Sequence, residues 1–163
     1  MILDINEPRL TSLTKVIHIA DIHIRNLQRH DEYLDAFEKL YSKIRKLLVE
    51  NETLIFLGGD IVHLKADISP ELVLMVQKLL RSLCEIAPVL MIPGNHDANL
   101  NNADRLDALT PIVEAVGGTG IGLHYIKENC QFQLGGHHWT HISVFENSGY
   151  RLPPIIDTKP QFC

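Results

Sequence analysis

The stretch Thr53–His63, TLIFLGGDIVH, decides how the whole chain is read. TLIFL is continuously apolar rather than alternating, the pattern of a parallel strand buried on both faces. Two glycines follow, which let the backbone pass close to a neighbour with no Cβ in the way. Asp60 and His63 come next. The same phrase occurs twice more. KVIHIA, Lys15–Ala20, runs into Asp21 and His23, and PVLMI, Pro88–Ile92, runs through a Pro-Gly turn into Asn95, His96 and Asp97. Each apolar run ends in a polar cluster.

Helical patterns separate the three runs. Between the first two, Leu34, Phe37, Tyr41, Ile44 and Leu48 recur every three or four positions and form one apolar face. Between the second and third, Ser69 and Pro70 open a helix, serine as its cap and proline in its first turn, with a stripe at Leu72, Val76, Leu79, Leu80 and Leu83. A further helical stretch is expected from about Asp104 to Val116, interrupted at Thr110-Pro111 because proline cannot donate within a helix. GLHYIKE, CQFQL and HWTHISVFE (residues 122–128, 130–134 and 138–146) then read as strands with no helix between them, which implies antiparallel pairing and the start of a second sheet. The predicted class is therefore α/β: a βαβαβ-type parallel sheet with flanking helices, followed by antiparallel strands. Residues 1–13 read as an N-terminal extension and residues 14–163 as the domain itself.

In a parallel sheet the ends of the three runs share one edge, where ligands bind in open α/β sheets. Asp21, His23, Asp60, His63, Asn95, His96 and Asp97 would therefore meet. Their chemistry is that of a dinuclear metal site. Asp21 and His23, two apart in an extended segment, can bind one cation, and the Asp60 carboxylate can bridge two. The Asn95 amide oxygen can serve the second without adding charge. Two such cations suit in-line attack on a phosphate ester. His96 could protonate the leaving oxygen, and Asp97 could orient His96 or complete the turn. Carboxylate, amide and imidazole donors without thiolate suit Mn²⁺, with Fe²⁺ or Zn²⁺ as alternatives and Mg²⁺, which retains more water, as a further one.

The totals agree with this class. The chain has 163 residues, 45% hydrophobic and 21% charged, with a net charge of −5. That is room for one domain with a real core. The acidic balance and the lack of a long basic run oppose nucleic-acid binding through a broadly charged surface. They leave open a phosphate substrate met by metal ions. Cys84, Cys130 and Cys163 show no CxxC spacing and read as inert thiols of a reducing compartment. With no secretion signal at the start and no apolar run of spanning length, an intracellular, non-membrane protein is expected, cytoplasmic or, in a eukaryotic or viral setting, nuclear.

The motifs D-x-H at Asp21–His23, GGD-x-x-H at Gly58–His63 and GNHD at Gly94–Asp97 resemble the first three motifs of the calcineurin-like metallophosphoesterases. Within them the chain is most similar to the Mre11/SbcD nuclease family. His63 stands where the protein Ser/Thr phosphatases carry a GDxxDRG pattern, and GNHD ends in Asp where they usually have Glu. RHDEYLDAFEKLYSKI resembles the nucleases' first helix, and RLDALTPIVEAV resembles viral and phage-like branches. The resemblance implies facing sheets flanked by helices, the N-terminal half of an α/β-β-α sandwich. It implies a Mn²⁺-dependent DNA exonuclease and endonuclease working with a Rad50/SbcC-type ATPase in break processing. Asp21, His23, Asp60 and Asn95 would be metal ligands, His96 the catalytic acid, and His63 an aid at the substrate phosphate. Family dimers use helices near the second and third motifs, here the segments around Leu72–Leu83 and Leu106–Val116, although core packing explains their stripes equally well.

The family pattern continues with GH and GHxH motifs, which this sequence lacks, so the chain reads as an N-terminal piece with little nuclease activity alone. QFC, residues 161–163, would begin the strand leading to the first of them. His137, His138 and His141 are better read as strand and turn positions than as substitute ligands, His18 and His124 as core or strand-edge residues, and His30 as a helix-start residue. A nucleotide phosphodiesterase and a truncated, non-catalytic interaction module are the alternatives.

Overall fold

In the computed structural model, which describes residues 3–100, 105–145 and 161–162, the elements run in chain order. They are β1 (Leu3–Asp4), β2 (Lys15–Ile19), α1 (His30–Leu47), β3 (Thr53–Leu57), α2 (Pro70–Ile86), β4 (Val89–Met91), α3 (Thr110–Val116), β5 (Leu123–Tyr125), β6 (Cys130–Leu134), β7 (His137–His141) and β8 (Gln161–Phe162). A 3-10 turn, Gly118–Ile121, precedes β5. β2, β3, β4 and β5 form one wholly parallel sheet in chain order, with Ile17 opposite Ile55 and Leu57 opposite Met91. β1, β6, β7 and β8 form the second sheet, in which β6 and β7 are an antiparallel hairpin.

The period-2 alternation of the buried strands sends their side chains to two different cores. Ile55, Leu57, Val89 and Met91 face the helices, where Phe37, Tyr41 and Ile44 of α1 meet Leu72, Val76, Leu79, Leu80 and Leu83 of α2. Leu54 and Leu90 face the second sheet and pack with Phe132, Leu134 and Trp139. The result is helix, sheet and sheet in layers, the α/β architecture expected. The stripe on α2 is wholly consumed by this chain's own core, each of its five residues being at most 1% exposed.

Local chemistry explains the helix boundaries. The Ser69 hydroxyl accepts from Leu72 N–H (3.3 Å) and Pro70 sits in the first turn of α2. In α1, Asp31 and Glu32 lie in the first turn and Arg45 and Lys46 in the last, matching the helix dipole.

Three expectations are corrected. The helix expected from about Asp104 begins at Thr110, where the break was placed (Asp104 itself lies outside the described residues). Pro111 fits its first turn, and the Asp107 carboxylate takes the Leu109 and Thr110 N–H groups (2.8 and 2.7 Å). β5 does not begin the antiparallel set: α3 supplies a crossover, so β5 runs parallel to β4 as the fourth strand of the first sheet. β7 stops at His141, because side-chain oxygens of Asn129 and Ser143 take the next backbone donors, at Ser143 and Phe145 (2.6 and 3.3 Å). Glu146 and Cys163 lie outside the described residues.

The N-terminal segment is built into the fold. β1 pairs with β6, and Leu10 and Leu13 are buried between the sheets. Glu7 meets His124 of β5 (2.9 Å), both side chains about 5% exposed or less, so His124 is a paired core residue. Arg9 reaches the carbonyls of Cys84 and Ile121 (2.6 and 3.0 Å).

Candidate metal centre

The three loops that leave β2, β3 and β4 meet at one edge of the parallel sheet and are fastened to one another. The first two pair beyond their strands: Asp21 N–H donates to Gly59 O (3.2 Å), His23 N–H to Asp60 O (2.9 Å) and His63 N–H to Ile24 O (3.0 Å), with Ile24 bridging Val62 in parallel. The Tyr33 hydroxyl of α1 donates to the His23 carbonyl (2.9 Å). Asp21 and His23 do not lie in the extended segment expected of them: with Asp60 they have positive φ (56°, 50° and 53°), a costly region for residues with a Cβ.

The third loop fits against the second through glycine. A Cβ on Gly59 would lie 2.5 Å from Gly94 N, and one on Gly94 would lie 2.1 Å from Asp60 Oδ1. The fully buried Asp97 closes the arrangement. Its carboxylate accepts from Gly94 N–H (2.9 Å), completing the turn, and from Val62 and Ile61 N–H (3.0 and 3.3 Å). Burial pushes its carboxyl above the ordinary 3.8, against the pull of those N–H donors.

Asp60 has a second task. Its Oδ1 accepts the His96 N–H (2.9 Å), while Oδ2 faces His23 Nε2 at 3.8 Å. His23 Nε2 lies 3.7 Å from Asp21 Oδ1. These separations are too long for hydrogen bonds. They suit donors around one cation, because metal–ligand bonds of about 2.0–2.2 Å hold two ligands at most about 4.4 Å apart. One ligand atom from each of Asp21, His23 and Asp60 lies within 4.8 Å of the others, and so does one from each of His23, His63 and His96. His23 belongs to both groups. Its Nε2 faces the two carboxylates, and its Nδ1 is buried without a hydrogen-bond partner among the described residues. The donor set therefore fits one or two divalent cations.

His96 Nδ1 lies 2.7 Å from the His63 carbonyl. A carbonyl only accepts, so Nδ1 carries the proton and Nε2 is left as the working nitrogen. The His96 ring stands perpendicular to His23 at 4.6 Å and stacks with His63 at 5.9 Å. Partial burial, then the charges of Arg25, His23 and His96, lower His63 below the ordinary 6.5. Asn95 is exposed on the third loop between Gly94 and His96.

Residues 14–160 match the family described as Calcineurin-like phosphoesterase. The chain belongs to that family. A calcineurin-like phosphoesterase is metal-dependent, in keeping with the two ligand groups at the rim. An uncharacterized protein of Acanthamoeba polyphaga mimivirus is 41% identical over 145 residues, 89% of this chain but 11% of that protein, so the chain spans about a ninth of the relative's length. Among solved structures, the Pseudomonas putida nuclease MPE is similar at a TM-score of 0.43 and 18% identity, over 78% of this chain and 54% of that one.

The histidines set aside from the sequence lie apart from the cluster. His137 Nδ1 is 3.1 Å from Gly135 O, His138 Nε2 3.4 Å from Gln133, and His141 Nδ1 2.9 Å from Glu128 O. His30 opens α1 and bonds the Arg25 carbonyl (2.9 Å). His18 is exposed on β2, its ring against Phe56. Cys84 and Cys130 are free thiols, and burial pushes Cys84 up to about 12. No helix among the described residues is long and apolar enough to cross a membrane. Sequence reasoning overlooked Tyr33 and Arg25. Tyr33 looks like one more residue of an amphipathic face, and Arg25 is invisible without the loop pairing.

Proposed function

We propose that this chain supplies the first part of a dinuclear, Mn²⁺-dependent site that hydrolyses phosphodiester bonds of DNA, in the manner of the Mre11/SbcD nucleases. Fe²⁺, Zn²⁺ or Mg²⁺ are the competing metals. The observation that carries the reading is the group Asp21, His23 and Asp60, whose ligand atoms lie within 4.8 Å of one another, with the His63 and His96 imidazoles beside His23 at the same rim. Asp21, His23, Asp60 and Asn95 are the proposed metal ligands. Bound cations would supply Lewis acidity at the phosphoryl oxygens and activate water.

The protein's own residues do the rest. The Asp60 carboxylate holds the third loop by its His96 bond while offering Oδ2 to the site. The His63 carbonyl fixes the His96 ring, so that a protonated His96 presents Nε2–H to a leaving oxygen. The His63 ring stacks on His96, and its proposed role is to assist at the substrate phosphate. Partners proposed with this reading are DNA, a Rad50/SbcC-type ATPase and a second copy of the protein.

Titration calorimetry with Mn²⁺ tests the site, with Asp60→Ala expected to lose binding at least tenfold. Incubation with DNA and with cyclic nucleotides in Mn²⁺ tests the substrate. The 163-residue chain is expected to cleave DNA weakly and to lose that activity in His96→Ala. Cyclic-nucleotide hydrolysis without DNA cleavage would favour a nucleotide phosphodiesterase, and absence of Mn²⁺ binding would overturn the reading.

A further inference from the structure

The pairing of the first two loops places one residue that neither the motifs nor the ligand groups include. Ile24 bridges Val62, and both are fully buried. One position further along each segment stand Arg25 and His63. The Ile24–Val62 bridge aligns the two segments in parallel, so Arg25 and His63, the next residue on each, stand side by side. His63 is one of the three imidazoles whose ligand atoms converge. Arg25 is exposed, and its charge acts on the His63 ring.

Most basic side chains that could compete for an anion are engaged elsewhere, while Lys65 of the second loop is exposed and makes no hydrogen bond or ion pair among the described residues. Arg29 is bonded to Glu32, Lys127 to Asp107, and Arg9 to Glu7 and two carbonyls. No hydrogen bond or ion pair engages the Arg25 guanidinium among the described residues. The Asn26 amide donates to Asp67 (2.7 Å), which pins the next residue to the second loop and fixes where Arg25 starts.

An unpaired cation beside a cation-binding site opposes metal binding unless an anion joins them. In a chain of net charge −5, such a charge is not part of a general basic surface. A guanidinium also matches a phosphate with two parallel N–H bonds. We infer that Arg25 contacts a backbone phosphate of a nucleic-acid strand lying across the rim, outboard of the phosphate that reacts. This rests on the phosphodiesterase reading given above. It names Arg25 as a substrate-binding residue and a strand, not a mononucleotide, as the substrate class.

The test is fluorescence anisotropy of a labelled single-stranded oligodeoxynucleotide with the metal-free chain, across a salt series. Arg25→Ala should weaken binding about tenfold at low salt and make the slope of log K against log salt shallower by about 0.7, the value of one single-strand phosphate contact. Arg25→Lys should restore the slope but not the full affinity. Lys46→Ala removes the same charge from the last turn of α1, at the opposite edge, and should behave as wild type. Equal effects of Arg25→Ala and Lys46→Ala would overturn the inference. So would a cyclic nucleotide that competes about tenfold less well against Arg25→Ala than against wild type, since Arg25 would then serve a mononucleotide. A wild-type chain that binds Mn²⁺ but no oligonucleotide also overturns it, while the metal centre stands. A chain that binds oligonucleotide through Arg25 but no Mn²⁺ overturns the hydrolytic reading instead.

Discussion

Replacing Asp97 by alanine removes the group that joins the second and third loops. Its carboxylate takes N–H groups from Gly94, Val62 and Ile61 at 2.9, 3.0 and 3.3 Å. Ile61 and Val62 are both fully buried, so water cannot replace the lost acceptor at either. Each stranded donor costs about 1–3 kcal/mol, giving about 4 kcal/mol for the pair. The half-buried Gly94 N–H can recover a bond to water and adds little. That loss is a large share of the roughly 5–15 kcal/mol by which a domain is stable. Asp97→Asn keeps one acceptor oxygen and turns an amide N–H toward at least one donor, for about 2 kcal/mol. Urea unfolding followed by circular dichroism reads both. With a slope of about 2 kcal/mol per molar urea, the midpoint falls by about 2 M for Asp97→Ala and about 1 M for Asp97→Asn. A loss below about 0.5 kcal/mol in Asp97→Ala would refute the role of the carboxylate as a clamp.

Gly94→Ala puts a Cβ 2.1 Å from Asp60 Oδ1 and 2.4 Å from Asp60 N. Because backbone must give way, the cost should be about 1–3 kcal/mol together with weaker Mn²⁺ binding, read by thermal unfolding and calorimetry on one sample. Glu7 is held below its ordinary 4.5: burial would raise it, but His124 and Arg9 outweigh burial. Its stabilisation is therefore full above about pH 4.5 and lost as pH falls through the lowered folded value. Glu7→Gln should flatten the dependence of the urea midpoint on pH across that acid window. Leu79→Ala, at a fully buried position between the helices and the sheet, should cost about 2–5 kcal/mol with no change in the slope against urea.

What could be read in advance was what short-range pattern controls. Thr53–Leu57 is a strand because five apolar residues run without a break, and α2 starts at Ser69-Pro70 because cap and first turn are both written there. Convergence of Asp21, Asp60 and His96 followed from parallel strand order alone. The errors came from long-range partners. β5 looked like the first antiparallel strand because it was grouped with the two strands after it, with no helix between them, although α3 before it is the crossover that sets it parallel to β4. Residues 3–13 looked irregular because their order comes from distant partners, Gln133, Gly135 and His124 more than a hundred residues away and Asn51 about 40 away. Asp97 sits in the motif as though it were chemistry, yet its oxygens are spent on backbone N–H groups. Only the coordinates of the other loop tell a clamp from a catalyst.

The interlocking of the three loops has a consequence for how the protein can change. Connecting segments ordinarily absorb added or lost residues with little harm. Here one extra residue after β2 would slip Ile24 against Val62 and carry His23 away from Asp60. One after β4 would pull Gly94 off Gly59, so variation in length is barred from all three segments together. Room for it lies in the Gly118–Gly120 and Gly136 turns, where an added Cβ at Gly118, Gly120 or Gly136 meets nothing within 4 Å. Tags, reporter insertions and new chain ends belong at those turns, not at the rim.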